Sequence, residues 1–411
     1  MDTMRVAREE DLSRLRRWRD KDIVKVVTGV RRCGKSTLLE MFADELRAQG
    51  TPNNHIVSLN MEDMALAHLL HDPQTFHDYV AGVLPTSAHS YLFIDEVQLV
   101  DSFETAINSL ALQFDVDIYL TGSNAQMLSS DLATRLSGRY VEIHLLGLSF
   151  NEFASARLDR NEKDEDLSYP GLFASFVRHG GFPFVQQLIG DPEAVADYLE
   201  GIVNTVLIKD VSVRQKVGNV GLLADVTSYL LHNVGNLTSL RRVADSLVSA
   251  GRKPSPSTID AYLEGLVDAF LIYPVRRWDT KGLKFLTGPE KYYAIDTGLR
   301  NAVTGYSGSD SGHLLENIVF LQLRRRHSHV WVGASPEGEI DFVVSDGADL
   351  TYYQAARTVR SPDVLARELA PLQAIRDHHP KVLLTMDAEP PIQYNGIRQL
   401  YVLDWLRGQV E

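Results

Sequence analysis

The run Gly29-Val30-Arg31-Arg32-Cys33-Gly34-Lys35-Ser36-Thr37 has the spacing GxxxxGK[ST], in which glycines let backbone N–H groups turn inward around a polyphosphate. Lys35 would reach the β and γ oxygens, and the Ser36 hydroxyl would ligate Mg²⁺. Further along, Tyr91-Leu92-Phe93-Ile94-Asp95-Glu96 is an apolar run that ends in two acids. Asp95 at such a tip would hold the Mg²⁺ shell through water, and Glu96 would orient and polarise the attacking water. The next apolar run ends in Thr121-Gly122-Ser123-Asn124, where a short polar side chain can sense the γ-phosphate or position water; Ser123 and Asn124 both qualify. Arg135 and Arg139 are four residues apart in LATRLSGRYVEIHL and are expected on one helical face. Facing a neighbouring subunit, either would supply positive charge to that neighbour's γ-phosphate. ATP and Mg²⁺ are therefore the expected cofactors. The binding set is Gly29, Arg31, Arg32, Cys33, Gly34, Lys35, Ser36, Thr37 and Asp95, with Ser36 and Asp95 on the metal. The catalytic set is Lys35, Glu96, Asn124, Arg135 and Arg139.

These residues need a scaffold that brings strand tips and a helix start together. Residues 23–28, IVKVVT, read as a β-branched strand, and residues 37–46, TLLEMFADEL, as an amphipathic helix. Strands at 56–60, 91–94, 118–121 and 140–145 alternate with helical stretches, which predicts an open α/β sheet. We place that core at 23–158, after an arm over 1–22 whose Arg14, Arg16, Arg17 and Arg19 are diluted by acids and which reads as a solvated helix. The charged segment 159–166 and Tyr169-Pro170-Gly171 read as a loop.

From 172 to about 300 the pattern is mostly helical. Within it, a helix at 240–249, a turn at 251–256, a helix at 257–268 with Ser257 as its cap, and strands at 271–278 and 291–296 joined by a polar Lys281-Gly282 region have the order of a winged helix. A Gly/Ser-rich linker at 305–312 precedes residues 313–411, read as a small α/β domain: a long helix, then strands at 330–332, 339–344, 350–355 and 381–385.

The 411 residues carry a net charge of -13 and 44% hydrophobic residues, so two or three domains of ordinary globular composition are expected. An acidic whole argues against coating nucleic acid non-specifically. A single cysteine, Cys33, excludes an internal disulfide and any multi-cysteine metal site. Neither a signal segment nor an apolar run of membrane-spanning length is evident, so a soluble cytoplasmic chain without membrane contact is expected.

The segment from Arg31 to Thr37, the acids in IDEVQ (94–98), the stretch TGSNAQMLSSDLATRLSGRYVEIHLLGLSFNEF and the Gly180-Gly181-Phe182-Pro183 turn together resemble the large prokaryotic family of AAA-type ATPases that carry a C-terminal DUF4143 domain. The resemblance covers nearly the whole chain. It implies Walker A and Walker B elements, sensor and arginine-finger features, a winged-helix segment and a C-terminal domain similar to restriction endonucleases. On that last domain the family pattern falls on Glu316, Asp341 and the strand through Gln354 and Ala356. A nuclease would want an acid and a lysine where this chain has Gln354 and Ala356, so no cleavage is expected. Glu316 is then expected to pair with an arginine such as Arg357, and a lysine such as Lys381 would have to fill the vacancy for cleavage to occur.

The function expected is ATP hydrolysis to ADP and phosphate coupled to rearrangement of domains or subunits. A homo-oligomer and a monomer awaiting a partner both fit. The alternatives are a nucleotide-gated switch for a protein partner, and a nucleic-acid-associated ATPase of defence or repair. Arg241-Arg242 and Arg276-Arg277 would serve DNA in the second.

Overall fold

In the computed structural model, residues 5–86, 88–125, 138–160, 166–213, 218–282, 284–347 and 349–410 are described. They divide into two units, Met1–Leu145 with Asp268–Phe270, and Leu146–Val267 with Leu271–Glu411.

The first unit runs α1 (Glu9–Trp18), β1 (Val24–Thr28), α2 (Lys35–Ala48), β2 (Ile56–Asn60), α3 (Pro73–Val83), β3 (Ser90–Asp95), α4 (Phe103–Gln113), β4 (Val116–Gly122) and β5 (Tyr140–His144). The strands form one parallel sheet in the order β2-β3-β4-β1-β5. β1 is buried along its length, as a strand of a sheet covered on both faces must be. Because every pair is parallel, the segments after β1, β3 and β4 emerge at one edge, where open α/β sheets bind their ligands. Even the charged residue of β1 is internal: Lys25 is fully buried and pairs with Asp117 on β4.

The N-terminal arm differs from a solvated helix. Leu12 and Leu15 of α1 are buried, and Arg16 holds Glu45 of α2 through three bonds of 2.8–3.0 Å. The acids Glu9, Glu10 and Asp11 in its first turn and Arg16 and Arg17 in its last complement the helix dipole.

The second unit continues with α5 (Phe150–Arg160), α6 (Tyr169–His179), α7 (Pro192–Thr205), a π-helical turn at Val206–Ser212 and α8 (Val220–His232). Next come β6 (Leu237–Thr238), α9 (Leu240–Ser249), α10 (Pro256–Asp268), β7 (Ile272–Val275), β8 (Arg277–Asp279), β9 (Lys284–Phe285), β10 (Glu290–Ala294) and α11 (Thr297–Thr304). The final set is α12 (Ser311–Arg326), β11 (His329–Ser335), β12 (Gly338–Asp346), β13 (Asp349–Ala356), α13 (Pro362–Gln373), β14 (Lys381–Thr385), β15 (Ile392–Tyr394), β16 (Ile397–Tyr401) and α14 (Val402–Leu406).

Two sheets result: a three-stranded antiparallel β6-β10-β7 and an eight-stranded β15-β16-β14-β13-β12-β11-β8-β9. The expected strand at 271–278 is broken after Val275, and the β8–β9 hairpin leaves the small sheet to pair with β11 in the large one. The expected cap Ser257 is also displaced. Ser255 accepts the N–H of Thr258 at 3.1 Å, and Pro256 opens α10, where its missing N–H costs nothing. No helix among the described residues is long and apolar enough to cross a membrane.

Candidate active site

β1 stops at Thr28, and the chain turns around Gly29 so tightly that a Cβ there would sit 2.3 Å from the carbonyl oxygen of Leu145. Only glycine fits such an approach. Gly34, at φ +105°, caps α2, whose first residue is Lys35. The Lys35 ammonium is buried and donates to the carbonyls of Gly29 at 3.0 Å and Val30 at 3.2 Å, so it is held within the loop at the helix N-terminus, where backbone N–H groups favour an anion. Thr37 is half-buried on α2, Arg32 is exposed, and Arg31 is half-buried 3.6 Å from Glu62. Cys33 is buried, and burial raises its thiol.

A residue outside the expected set supports this loop. Arg8, 3% exposed, donates to the Cys33 carbonyl at 2.9 Å and is 2.9 Å from Asp11. Its only sequence signal is an arginine directly before an amphipathic helix.

The second half of the site arrives from β3 and β4. The Ser36 hydroxyl donates to Asp95 Oδ2 at 2.7 Å, and Thr121 Oγ1 donates to the other oxygen of Asp95. Glu96 takes a left-handed conformation at φ +53°, and its N–H is held by Thr121 Oγ1 at 2.9 Å. Its carboxylate is buried, 3.9 Å from Lys35 Nζ, and accepts from Ser123 Oγ at 3.2 Å and from the Gln98 amide. Asn124, next to Ser123, is 1% exposed. The hydroxyl and the carboxylate oxygen in contact are hard-oxygen donors of the kind Mg²⁺ takes alongside phosphate, and a second acid and an ammonium lie beside them.

Of the two arginines, Arg139 is not brought to this edge. Arg135 lies outside the described residues. Arg139 is exposed and non-helical, and its carbonyl accepts from Val24 at the start of β1, so the expected common helical face fails at Arg139. Five strand residues separate that end of β1 from the loop, about 16 Å at strand rise.

A second polar cluster lies in the second unit. Glu316 on α12 and Asp341 on β12, both 8% exposed, converge with Glu339 on Lys291 of β10. Lys291 Nζ is 2.7 Å from Glu316, 2.6 Å from Glu339 and 3.9 Å from Asp341, and Tyr293 donates to Glu316 at 2.6 Å. Burial, reinforced by Glu316, pushes the Asp341 carboxyl well above the usual carboxylate range. Burial alone would lower Lys291, but Glu316, Asp341 and Glu339 together hold its ammonium above the usual lysine range.

Gln354 accepts from the Asp341 N–H at 3.2 Å and donates to Glu368 at 3.0 Å, while Ala356 is packed into the core. The expected partners are elsewhere. Arg357 donates to Ser311, and Lys381 to the carbonyls of Ile375 and Asp377. The lysine among the acids comes from the small sheet, a pairing that local spacing cannot reveal.

The family model described as an AAA domain matches residues 21–154. A second model, the domain of unknown function DUF8612, matches residues 171–310; it is found in place of the expected DUF4143 and lies over the helical region, not over residues 313–411, where DUF4143 was expected. An uncharacterized protein of Haemophilus influenzae is 35% identical over 402 residues, 98% of each chain. Another, from Methanocaldococcus jannaschii, is 29% identical over 334 residues, 78% of this chain and 72% of that one. Among solved structures, a Walker-type ATPase of Pyrococcus abyssi is 16% identical, covering 73% of this chain and 96% of that one at a TM-score of 0.48.

Proposed function

This chain belongs to the AAA ATPases and hydrolyses ATP with Mg²⁺, and from that premise we propose how its residues divide the work. Lys35 binds the β and γ oxygens, Ser36 and Asp95 hold the Mg²⁺ shell, and Glu96 orients the attacking water. When bound, the ion neutralises phosphate charge. The chain's own part is to hold Glu96, through Thr121, Ser123 and Gln98, where it can take a proton from water. Sensing of the γ-phosphate is assigned to Asn124, buried at the tip of β4 beside Ser123. One observation carries the assignment: the 2.7 Å contact between Ser36 on α2 and Asp95 on β3, 59 residues apart in sequence.

Lys35→Ala is expected to abolish nucleotide binding, read with a fluorescent ATP analogue. Glu96→Gln is expected to retain binding and lose turnover by a hundredfold or more. Hydrolysis by Glu96→Gln at the parent rate would end this reading.

The order α8, β6, α9, α10, β7, β10 supports a winged helix in the second unit, and the last hundred residues are read as a restriction-endonuclease-like domain that does not cleave, Gln354 and Ala356 standing where an acid and a lysine are wanted. A nucleic-acid partner is the second reading, favoured by that helical order and by the basic residues of the hairpin between β7 and β10. A cytoplasmic location belongs to the same reading, as does an assembly in which one subunit's arginine serves the next.

A further inference from the structure

The β8–β9 hairpin ends the large sheet on an aromatic edge. Helix α13 packs over β12, β13, β14 and β16, where Leu369 and Leu372 meet Ile340, Val343, Tyr352, Leu383 and Ile397. Trp278 on β8 and Trp331 on β11 pack against the same cluster, so this apolar face runs on past the strands that α13 covers, toward the open side. There the rings form a pile. Trp278 and Trp331 stack at 5.1 Å and 19°, and the exposed His329 stacks on Trp331 at 5.7 Å and 10°. Phe285 on the outermost strand, 37% exposed, meets both tryptophans edge-on at 5.0 and 5.5 Å. The Arg276 guanidinium lies 4.2 Å over the Phe285 ring.

Charge along this hairpin opposes that of the whole chain. Residues 276–285, RRWDTKGLKF, hold four cations and one acid within a protein of net charge -13. Asp279 is depressed by the backbone N–H groups of Gly282 and Lys281 and then by Lys284 and Lys281, so it is spent within the turn. Glu290, half-buried nearby, is raised by burial in spite of Arg276. An apolar protein partner would cover the rings but gain nothing from Arg276 over them or from the other cations of the hairpin. A polynucleotide backbone would use them, and unpaired bases have the flat faces that stack on such rings and on guanidinium planes.

We propose that this edge, built from Arg276, Trp278, Phe285, His329 and Trp331 with Lys281 and Lys284 on the same hairpin, binds the unpaired bases of a single-stranded polynucleotide. The proposal rests on the nucleic-acid reading of the second unit and names the strand form and the residues. A winged helix alone would favour duplex through its helices; the aromatic pile selects single strands.

The test uses the full-length protein, a fluorescein-labelled 20-mer of oligo(dT), and a mixed-sequence duplex of the same length, by anisotropy at 50 and 200 mM salt. The parent is expected to bind the single strand more tightly than the duplex, with affinity falling as salt rises and with quenching of tryptophan emission. Phe285→Ala, at an exposed ring, is expected to weaken single-strand binding about tenfold or more. Lys281→Glu with Lys284→Glu is expected to weaken it and flatten its salt dependence. Hydrolysis of ATP without oligonucleotide is expected to be unchanged in both. Single-strand binding by Phe285→Ala equal to the parent's overturns the proposal. If duplex is bound tightly and neither variant alters binding, the nucleic-acid reading survives and the aromatic edge does not. If the parent binds neither probe at 50 mM salt, both fail.

Discussion

At the scale of the residue, Gly180 shows how closely the second unit is fitted around one buried acid. Gly180 is at φ +77°, and a Cβ there would lie 2.0 Å from Asp296 Oδ1. Asp296 needs that space, because it accepts the N–H of Gly181 at 2.6 Å and caps α11 through the N–H of Leu299 at 2.8 Å. Gly180→Ala therefore meets a positive φ and a clash together and is expected to cost about 2–4 kcal/mol, read as a lower thermal midpoint. Burial raises the Asp296 carboxyl to about 6, although the N–H groups of Gly181, Leu299 and Gly298 pull the other way. The folded state thus keeps a proton that the unfolded chain, with a carboxyl near 3.8, releases. Between those values stability rises as pH falls, and this contribution is lost as pH climbs through 6. Asp296→Asn is expected to lower stability overall, since one acceptor oxygen is gone, and to flatten the slope of stability between pH 4 and 6.

At the scale of the element, β10 is tied to α12 and β12 by a single ammonium among three carboxylates. Removing one partner of a buried ion pair leaves charge uncompensated, which is worth about 3–5 kcal/mol. Lys291→Met is therefore expected to lower the unfolding midpoint sharply at pH 8. With Asp341 already raised above its unfolded value, part of that loss should return at pH 5, where Asp341 can hold a proton. A loss independent of pH would mean that Lys291 acts through packing alone. Neither the parent nor this variant is expected to cut single- or double-stranded DNA or RNA with Mg²⁺ or Mn²⁺, as judged by gel electrophoresis.

This contact marks the limit of what could be read from sequence. The phosphate loop was legible because Gly29 to Thr37 is contiguous and its strand and helix flank it. Asp95 and Glu96 were legible because an apolar strand ending in acids is a local pattern. Lys291 was not, since it belongs to a strand of one sheet and its partners to a helix and a strand of the other. The β8–β9 hairpin changes sheet for a related reason: β8 satisfies its backbone against β11, and pairing partners are set by tertiary packing. The buried face of α1 was hidden behind its charge, because Leu12 and Leu15 are outnumbered by arginines and acids, of which Arg16 bonds to Glu45 of α2.

At the scale of the whole molecule, the geometry of the first unit decides where an arginine could act. Arg139 stands at the start of β5, beside Val24, at the opposite end of the sheet from Lys35. With about 16 Å of strand between them, it cannot reach the γ-phosphate of its own site, so any role on nucleotide has to be played on another copy. Arg135, four residues earlier, is the other candidate. The expectation is that a variant with both Arg135→Ala and Arg139→Ala binds ATP but hydrolyses it slowly, and that Lys35→Ala is inactive because it binds none. Mixed in equal amounts, the two should complement, because a Lys35→Ala subunit still presents its arginines to an intact loop. With random mixing in a closed ring, half of the arginine-variant sites gain such a neighbour, so activity should recover to about a quarter of the parent rate. Analytical ultracentrifugation at the assay concentration must accompany the measurement. A monomer that hydrolyses ATP at the full rate, or an oligomer whose mixture never exceeds the sum of its two components, would show that the arginines serve the surface of the subunit and not a neighbour's nucleotide.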